Sequence, residues 1–349
     1  MRLHKRTTIF IMIAFAVFIV ILFFLYQRND SSVTAQKSAS HDDQKLLTVF
    51  TDAQLDTSYY LFNGDNQLID KRKMTDYPSA ALGKNHLYFT SKDSENFTQL
   101  YQLNLKTKTK KQLSHKFLYV DNLHLDNVHS RLYMRVVLPH HQNFQIAVYD
   151  LKKGAFYVLD PKEKDNSVAY FDYNPSKDKL LVLNFSVRED YKNTDEANKK
   201  GKPPLPATMH LNLLAGDGKK IKEILAVKKS IQDVSMSPSG NEALFTASSS
   251  SGNTEKSTIY KVDLKTGQKY PIISDNHEFT LLKQSLAQYA NDENSIYFLA
   301  VSKNARLIQD EGGREAKERA IYCYNLKTKE IKQVWHKKGG IINNFSVIR

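Results

Sequence analysis

A chain of 349 residues that is 41% hydrophobic and 11% aromatic can build the core of one large or two ordinary domains, which excludes a disordered polymer. Its formal charge of +13, from lysines scattered along the whole length, favours anionic partners: nucleic acid, lipid headgroups or acidic wall polymers. The lone cysteine, Cys323, excludes an internal disulfide framework and a multi-cysteine metal site, and its place in a predicted strand makes it a small buried hydrophobe.

The first element is an apolar run over 9–26, "IFIMIAFAVFIVILFFLY", preceded by a basic tail (1–8) with Arg2, His4, Lys5 and Arg6. Its length is about the minimum that spans a bilayer core. A signal peptide would be shorter and would end in small residues, whereas this run ends in Phe23, Phe24, Leu25 and Tyr26. No cysteine follows that could carry a lipid. The expectation is an uncleaved single-pass anchor, with the basic tail in the cytoplasm and the rest outside it. Without Arg2, Lys5 and Arg6 the exported part keeps 47 basic against 37 acidic residues, about +10, and its location excludes chromosomal DNA as a partner. Residues 27–44, "QRNDSSVTAQKSASHDDQ", are polar and without periodicity, as in a flexible tether.

From residue 45 onward the apolar stretches are short, often alternating, and bounded by Asn, Asp, Gly, Ser or Pro, the pattern of strands. The only helix candidate is "REAKERA" at 314–320. Six hairpins follow one another: "LFNGDNQLI" (61–69), "LNLKTKTKKQL" (103–113), "YDLKKGAFYVL" (149–159), "LNLLAGDGKKIKEIL" (211–225), "VDLKTGQKYPI" (262–272) and "YNLKTKEIKQV" (324–334). Each has another strand upstream. Five also have an inner strand before that one, near 79–82, 118–123, 168–173, 231–236 and 281–289. The first unit lacks this inner strand, and the chain ends in a spare, "IINNFSVIR" (341–349). Six four-stranded units, the last strand completing the first, predict an all-β, closed six-bladed β-propeller over 45–349.

"FDYNPSKDKLLVL" (171–183) and "VSMSPSGNEALF" (234–245) resemble the inner strand, Ser-Pro-Asp-Gly turn and second strand of TolB-type propeller repeats. The turn departs from that pattern, with Ser239 in place of the usual Asp and Asn174-Pro175-Ser176-Lys177 in blade four. The resemblance therefore implies a fold family. Related propellers occur in prolyl oligopeptidases, but no α/β-hydrolase domain follows here, so peptidase activity is not implied.

In such a ring the first-to-second and third-to-fourth strand turns share one face, the bottom, and the remaining connections share the top. Bottom turns are short and basic: Lys106 and Lys108, Lys152 and Lys153, Lys219, Lys265 and Lys327. Lysines keep edges and turns soluble, and they would also attract anionic lipid or wall polymer near the anchor. Top loops are longer, and binding on a rigid scaffold usually sits in such loops. They offer Arg188 and Tyr191 in the blade-four insertion (188–207), His140 and His141 in blade three, and Arg306, Arg314 and Arg319 in blade six. These arginines could grip a carboxylate or phosphate.

Zinc-protease, P-loop, nucleophile-elbow and EF-hand motifs are absent, so no metal or cofactor is expected. Polar inner-strand residues, Asp121, His124, Asp172, Asp233 and Asn343, could line and converge on the central channel. The favoured expectation is a membrane-tethered, non-enzymatic module binding a protein or envelope component through its top face. The rival is an envelope hydrolase or lyase at the channel mouth, which would need acids or histidines converging on one cleft.

Overall fold

The computed structural model describes residues 44–73, 77–251 and 254–349. The expected anchor (9–26) and all of the tether except Gln44 lie outside the described residues. Among the described residues no helix is long and apolar enough to cross a membrane.

The strands form six four-stranded antiparallel blades. Blade two comprises Ala80–Leu82, His86–Lys92, Thr98–Asn104 and Lys110–Gln112; blade three, Tyr119–Asp126, Arg131–Val137, Phe144–Asp150 and Ala155–Val158. Blade four comprises Asn166–Asn174, Lys179–Ser186, Met209–Ala215 and Lys220–Val227; blade five, Ser230–Met236, Glu242–Ser251, Thr254–Asp263 and Lys269–Ser274. In blade six the inner strand is broken into Phe279–Leu281 and Gln288–Tyr289, followed by Ser295–Ser302, Ala320–Asn325 and Ile331–His336. Blade one joins Leu46–Asp52, Asp56–Asn63 and Asp65–Lys73 to the last strand, Gly340–Val347, which pairs with Leu46–Asp52 from the inside. The ring closes as the spare strand predicts.

The core consists of six apolar clusters, each between neighbouring blades. Leu183, Leu211, Val234 and Phe245 join blades four and five. Phe50, Tyr297, Trp335 and Phe345 join blade six to blade one, with the Trp335 ring edge-on to Phe50 at 6.3 Å. No blade buries its faces alone, so the apolar gain is realised only when blades stack.

The recurring turn has one physical cause. Asn104, Asp150, Asp263 and Asn325 each accept, through Oδ1, the amides two and three residues ahead. The leucine that follows is held by the adjoining first turn of its own blade: Leu105 N bonds Asn85 O, Leu264 N bonds Asn241 O and Leu326 N bonds Leu326's neighbour across the blade, Asn294 O. The fifth position then needs the left-handed conformation. It is Gly154 (φ 66°) and Gly267 (φ 74°) in two blades but Lys108 (φ 57°) and Lys329 (φ 64°) in the two NLKTK turns. A Cβ on Gly267 would lie 2.6 Å from Ile224 O, so blade five cannot use lysine there. Left-handed backbone costs a side-chain-bearing residue about 1 kcal/mol. Lys108→Gly and Lys329→Gly should each stabilise the propeller by up to that amount, read as a raised urea midpoint, and a lowered midpoint would contradict this account of the motif.

Two expectations need correction. Residues 314–320 are not helical: Glu315–Lys317 pairs with Leu307–Gln309 in an extra hairpin, closed where Asp310 Oδ1 accepts the amides of Gly312 and Arg314. Turn chemistry there overrides the helix propensity of the charged residues. The helix lies instead in the blade-four insertion, read above as one of the long top loops. Helix α1, Val187–Lys200, is capped by Ser186, whose hydroxyl accepts from Glu189 N, and ends at Gly201 with φ 60°.

Candidate functional site: the central channel and its upper mouth

The inner strands surround a channel that opens into a cavity at each face. The upper cavity, about 640 Å³, is lined by the first halves of the inner strands, among them Asp121, Asn122, Tyr170 and Gln232, and by Arg135, Arg314, Arg319, Asn343 and Asn344. The lower cavity, about 350 Å³, is lined by the second halves, including His124 and Asp172, and by Arg349.

Most inner-strand polar groups stitch blades together. Ser79 Oγ accepts Leu123 N (3.1 Å) between blades two and three, and Asn122 Nδ2 donates to Phe171 O (2.9 Å) between three and four. Asp172 Oδ2 accepts Met236 N (2.7 Å), joining blade five, and Asp233 Oδ2 accepts Leu286 N (2.5 Å), joining blade six. Gln288 donates to Phe345 O and accepts Val347 N, which fastens the closing strand to blade six. Five of the six junctions among the described residues are held in this way. In blade three the cause is local: a register shift between Asp121 and His124 leaves Leu123 out of its own ladder and frees its N–H for Ser79.

The candidate channel residues thus part company. Asp121 lies in the upper cavity, gripped through both oxygens by Arg135 (Nε 2.7 Å, Nη2 2.6 Å), whose Nη1 also donates to Val168 O and Ala169 O of blade four. Asn343 is in the same cavity and donates to Thr51 Oγ1 (2.6 Å). His124 and Asp172 meet in the lower cavity, Nδ1 to Oδ1 3.2 Å, while His124 Nε2 lies 3.1 Å from Asn122 Oδ1. Burial opposes ionisation of Asp172, but Arg349 (3.7 Å), His124 and the Met236 amide outweigh it, and the carboxyl sits below the usual range. Asp233 lines neither cavity: it is 2% exposed between blades five and six.

Burial pushes Asp233 up to about 6, against the pull of Thr246 N, Thr246 Oγ1 and the Leu286 amide. Its folded pKa therefore exceeds the unfolded value, so it favours folding fully below about pH 4 and that contribution is lost as the pH rises through 6. The effect is on the order of 3 kcal/mol. Urea midpoints at pH 4.5 and 7.5 should fall more steeply for the parent than for Asp233→Asn. Equal slopes would mean that Asp233 is ionised throughout.

The top-loop candidates are dispersed. Arg314 and Arg319 reach the upper cavity; Arg306 is exposed on the added hairpin. Arg188 is exposed and pairs with Asp165 (3.3 Å), and Tyr191, on α1, donates to Gln142 Oε1 (3.3 Å). His140 is exposed with φ 65°, and His141 Nδ1 lies 3.4 Å from Gln145 Nε2, so the pair does not converge. The seven bottom-turn lysines, Lys106, Lys108, Lys152, Lys153, Lys219, Lys265 and Lys327, are all exposed. Asp126, His129 and Asp178 cluster at the bottom of the blade three–four junction, but Arg131 Nη2 already bridges the two carboxylates at 3.0 and 2.6 Å. The residue that sequence reasoning missed is Arg135. Its signal was a charge inside the otherwise apolar strand "LYMRVVL".

Six stacked four-stranded blades closed by the last strand define a TolB-like six-bladed propeller. Solved structures agree: TolB from Acinetobacter baumannii matches with TM-score 0.57 and 11% identity over 87% of this chain and 67% of that one. A putative TolB from Agrobacterium tumefaciens matches at 0.54 and 7% over 88% and 100%, and an oligogalacturonate lyase in complex with manganese at 0.50 and 12% over 84% and 74%. These likenesses establish the fold. No family model matches the chain. By sequence the chain belongs to the family of the uncharacterized protein YdjN of Bacillus subtilis (strain 168), to which it is 34% identical over 308 residues, 87% of either chain.

Proposed function

We propose that this chain is a membrane-anchored, extracytoplasmic propeller that binds a protein or cell-envelope component on its top face without transforming it. One observation carries the reading: the larger of the two cavities opens on the face with the long connections, and its one lining carboxylate among the described residues, Asp121, is paired with Arg135. A polar wall whose carboxylate is already paired suits recognition more than chemistry. The basic tail and apolar run at 1–26 support the anchor. Gln44, the last residue of the expected tether, donates through Nε2 to Ile348 O at the bottom of blade one, which supports a tether entering on the face that carries the exposed lysines. That face would turn toward anionic lipid or wall polymer, each lysine near the surface contributing on the order of 1 kcal/mol.

The second reading, an envelope hydrolase or lyase, draws on the His124–Asp172 contact and on the fold shared with an oligogalacturonate lyase. Against it, both ring nitrogens of His124 face protein oxygens and Asp172 accepts two backbone amides. Photo-crosslinking of the full chain in its native membrane, compared with a chain lacking residues 190–206, tests the binding reading. Loss of a specific partner on deletion is expected. Capture that is unchanged refutes α1 and its loop as the contact.

A further inference from the structure

Three arginines line the upper cavity, and they differ in what meets their charge. Arg135 is committed to Asp121 and two carbonyls, and Arg314 Nε is paired with Asp310 (2.9 Å). Arg319 has no carboxylate within ion-pair distance among the described residues. Its Nη1 donates to Ile342 O (3.0 Å) on the closing strand, which fixes the guanidinium at the seam of blades six and one. The remaining N–H groups of that planar fork meet no protein acceptor among the described residues. Burial lowers the pKa of Arg319, so the fold bears a cost for holding its charge there. Gln232 and Asn344 line the same cavity, and their side-chain amides bond no protein group among the described residues.

We propose that the upper cavity is a binding site for a small polar ligand carrying a carboxylate or phosphate, with the Arg319 guanidinium receiving the oxyanion. Gln232 and Asn344 then address hydroxyl or amide groups on its body. The inference rests on the top face being a binding face, and it names the chemistry that face recognises. A planar fork held at one corner presents two parallel N–H groups to an oxyanion, the geometry of bidentate recognition. A volume of about 640 Å³ accommodates a ligand of sugar-acid or sugar-phosphate size.

The full-length chain in mild detergent and chloride buffer is titrated calorimetrically with glucuronate, inorganic phosphate and, as neutral counterpart of the first, glucose. At least one anion should bind, with glucose weaker by about tenfold or more, and the stronger anion identifies the carboxylate or the phosphate form. Arg319→Gln should weaken that binding by about tenfold or more while melting no lower than the parent, because it removes a charge that burial opposes. Arg306→Gln, outside the cavity, should bind as the parent does. The proposal is overturned if neither anion binds by roughly 10 mM, if Arg319→Gln binds equally well, or if it melts lower and so reveals a structural arginine. Partner capture by a chain that binds neither anion sinks this inference alone. Anion binding by a chain that captures no partner sinks the macromolecular reading and leaves the site standing.

Discussion

A chain ending at Gly339 will show no cooperative thermal transition. The missing strand buries Ile342, Phe345 and Val347, at 0, 1 and 7% exposure. At about 1.5–3 kcal/mol each, their removal forfeits on the order of 6 kcal/mol, comparable to the whole stability of an ordinary domain. It also strips the hydrogen-bonding partner from Leu46–Asp52 and the Gln288 stitch from blade six. A milder form of the same lesion is Gly340→Ala. A Cβ there would lie 2.2 Å from Thr51 O and 2.8 Å from Asp52 Cα, which are backbone atoms that cannot swing aside. The strand must shift at its first residue, and overpacking of this kind costs about 3 kcal/mol. Circular dichroism melts of both variants test the ring's dependence on its seam. A truncated chain that melts cooperatively near the parent temperature would show that five complete blades suffice.

Arg135→Ala is the second large effect, and it falls on the wall of the upper cavity itself. Removing the guanidinium leaves Asp121, 7% exposed, without its two charge-assisted bonds, and leaves Val168 O and Ala169 O without their donor. Breaking a buried pair by deleting one partner costs about 3–5 kcal/mol. Removing both charges together, as Arg135→Met with Asp121→Leu, should cost far less, because no buried ion is then left alone. Urea denaturation of the two single variants and the double gives the coupling directly. A double variant as unstable as the sum of the singles would mean that the pair does not act as a unit. The contrast with Arg319 is informative, since two arginines in one cavity are expected to respond oppositely to removal.

The blades were legible because each is bounded by a turn with a local cause. Asn or Asp at the first position, leucine next and a left-handed fifth residue repeat at 104–108, 150–154, 263–267 and 325–329, and no long-range information is needed to see them. The closing strand was legible as a surplus. Helix α1 escaped because it carries almost no apolar periodicity: only Ala197 on it is buried. Its signals were at the ends: Ser186 followed by Glu189, lysines in the last turn and then Gly201. The fate of the channel residues was not legible at all. Whether Asp233 faces the lumen or a neighbouring blade depends on a register shift between Ile231 and Val234, and alternation along a sequence does not announce where it skips a residue.

The seam also sets a timetable. Gln44 and Ile348 touch although 304 residues separate them in the sequence, and every pairing of the first described strand with the last has a similar span. Blade one is three-stranded, with its inner edge unpaired, until nearly the whole chain exists. At ordinary rates of synthesis that interval is roughly 15 to 60 s. An open strand edge is a template for association with other chains. The vulnerable species is therefore the growing polypeptide, and a substitution that slows the arrival or docking of the last strand can lower the yield in cells while leaving the finished ring as stable as before.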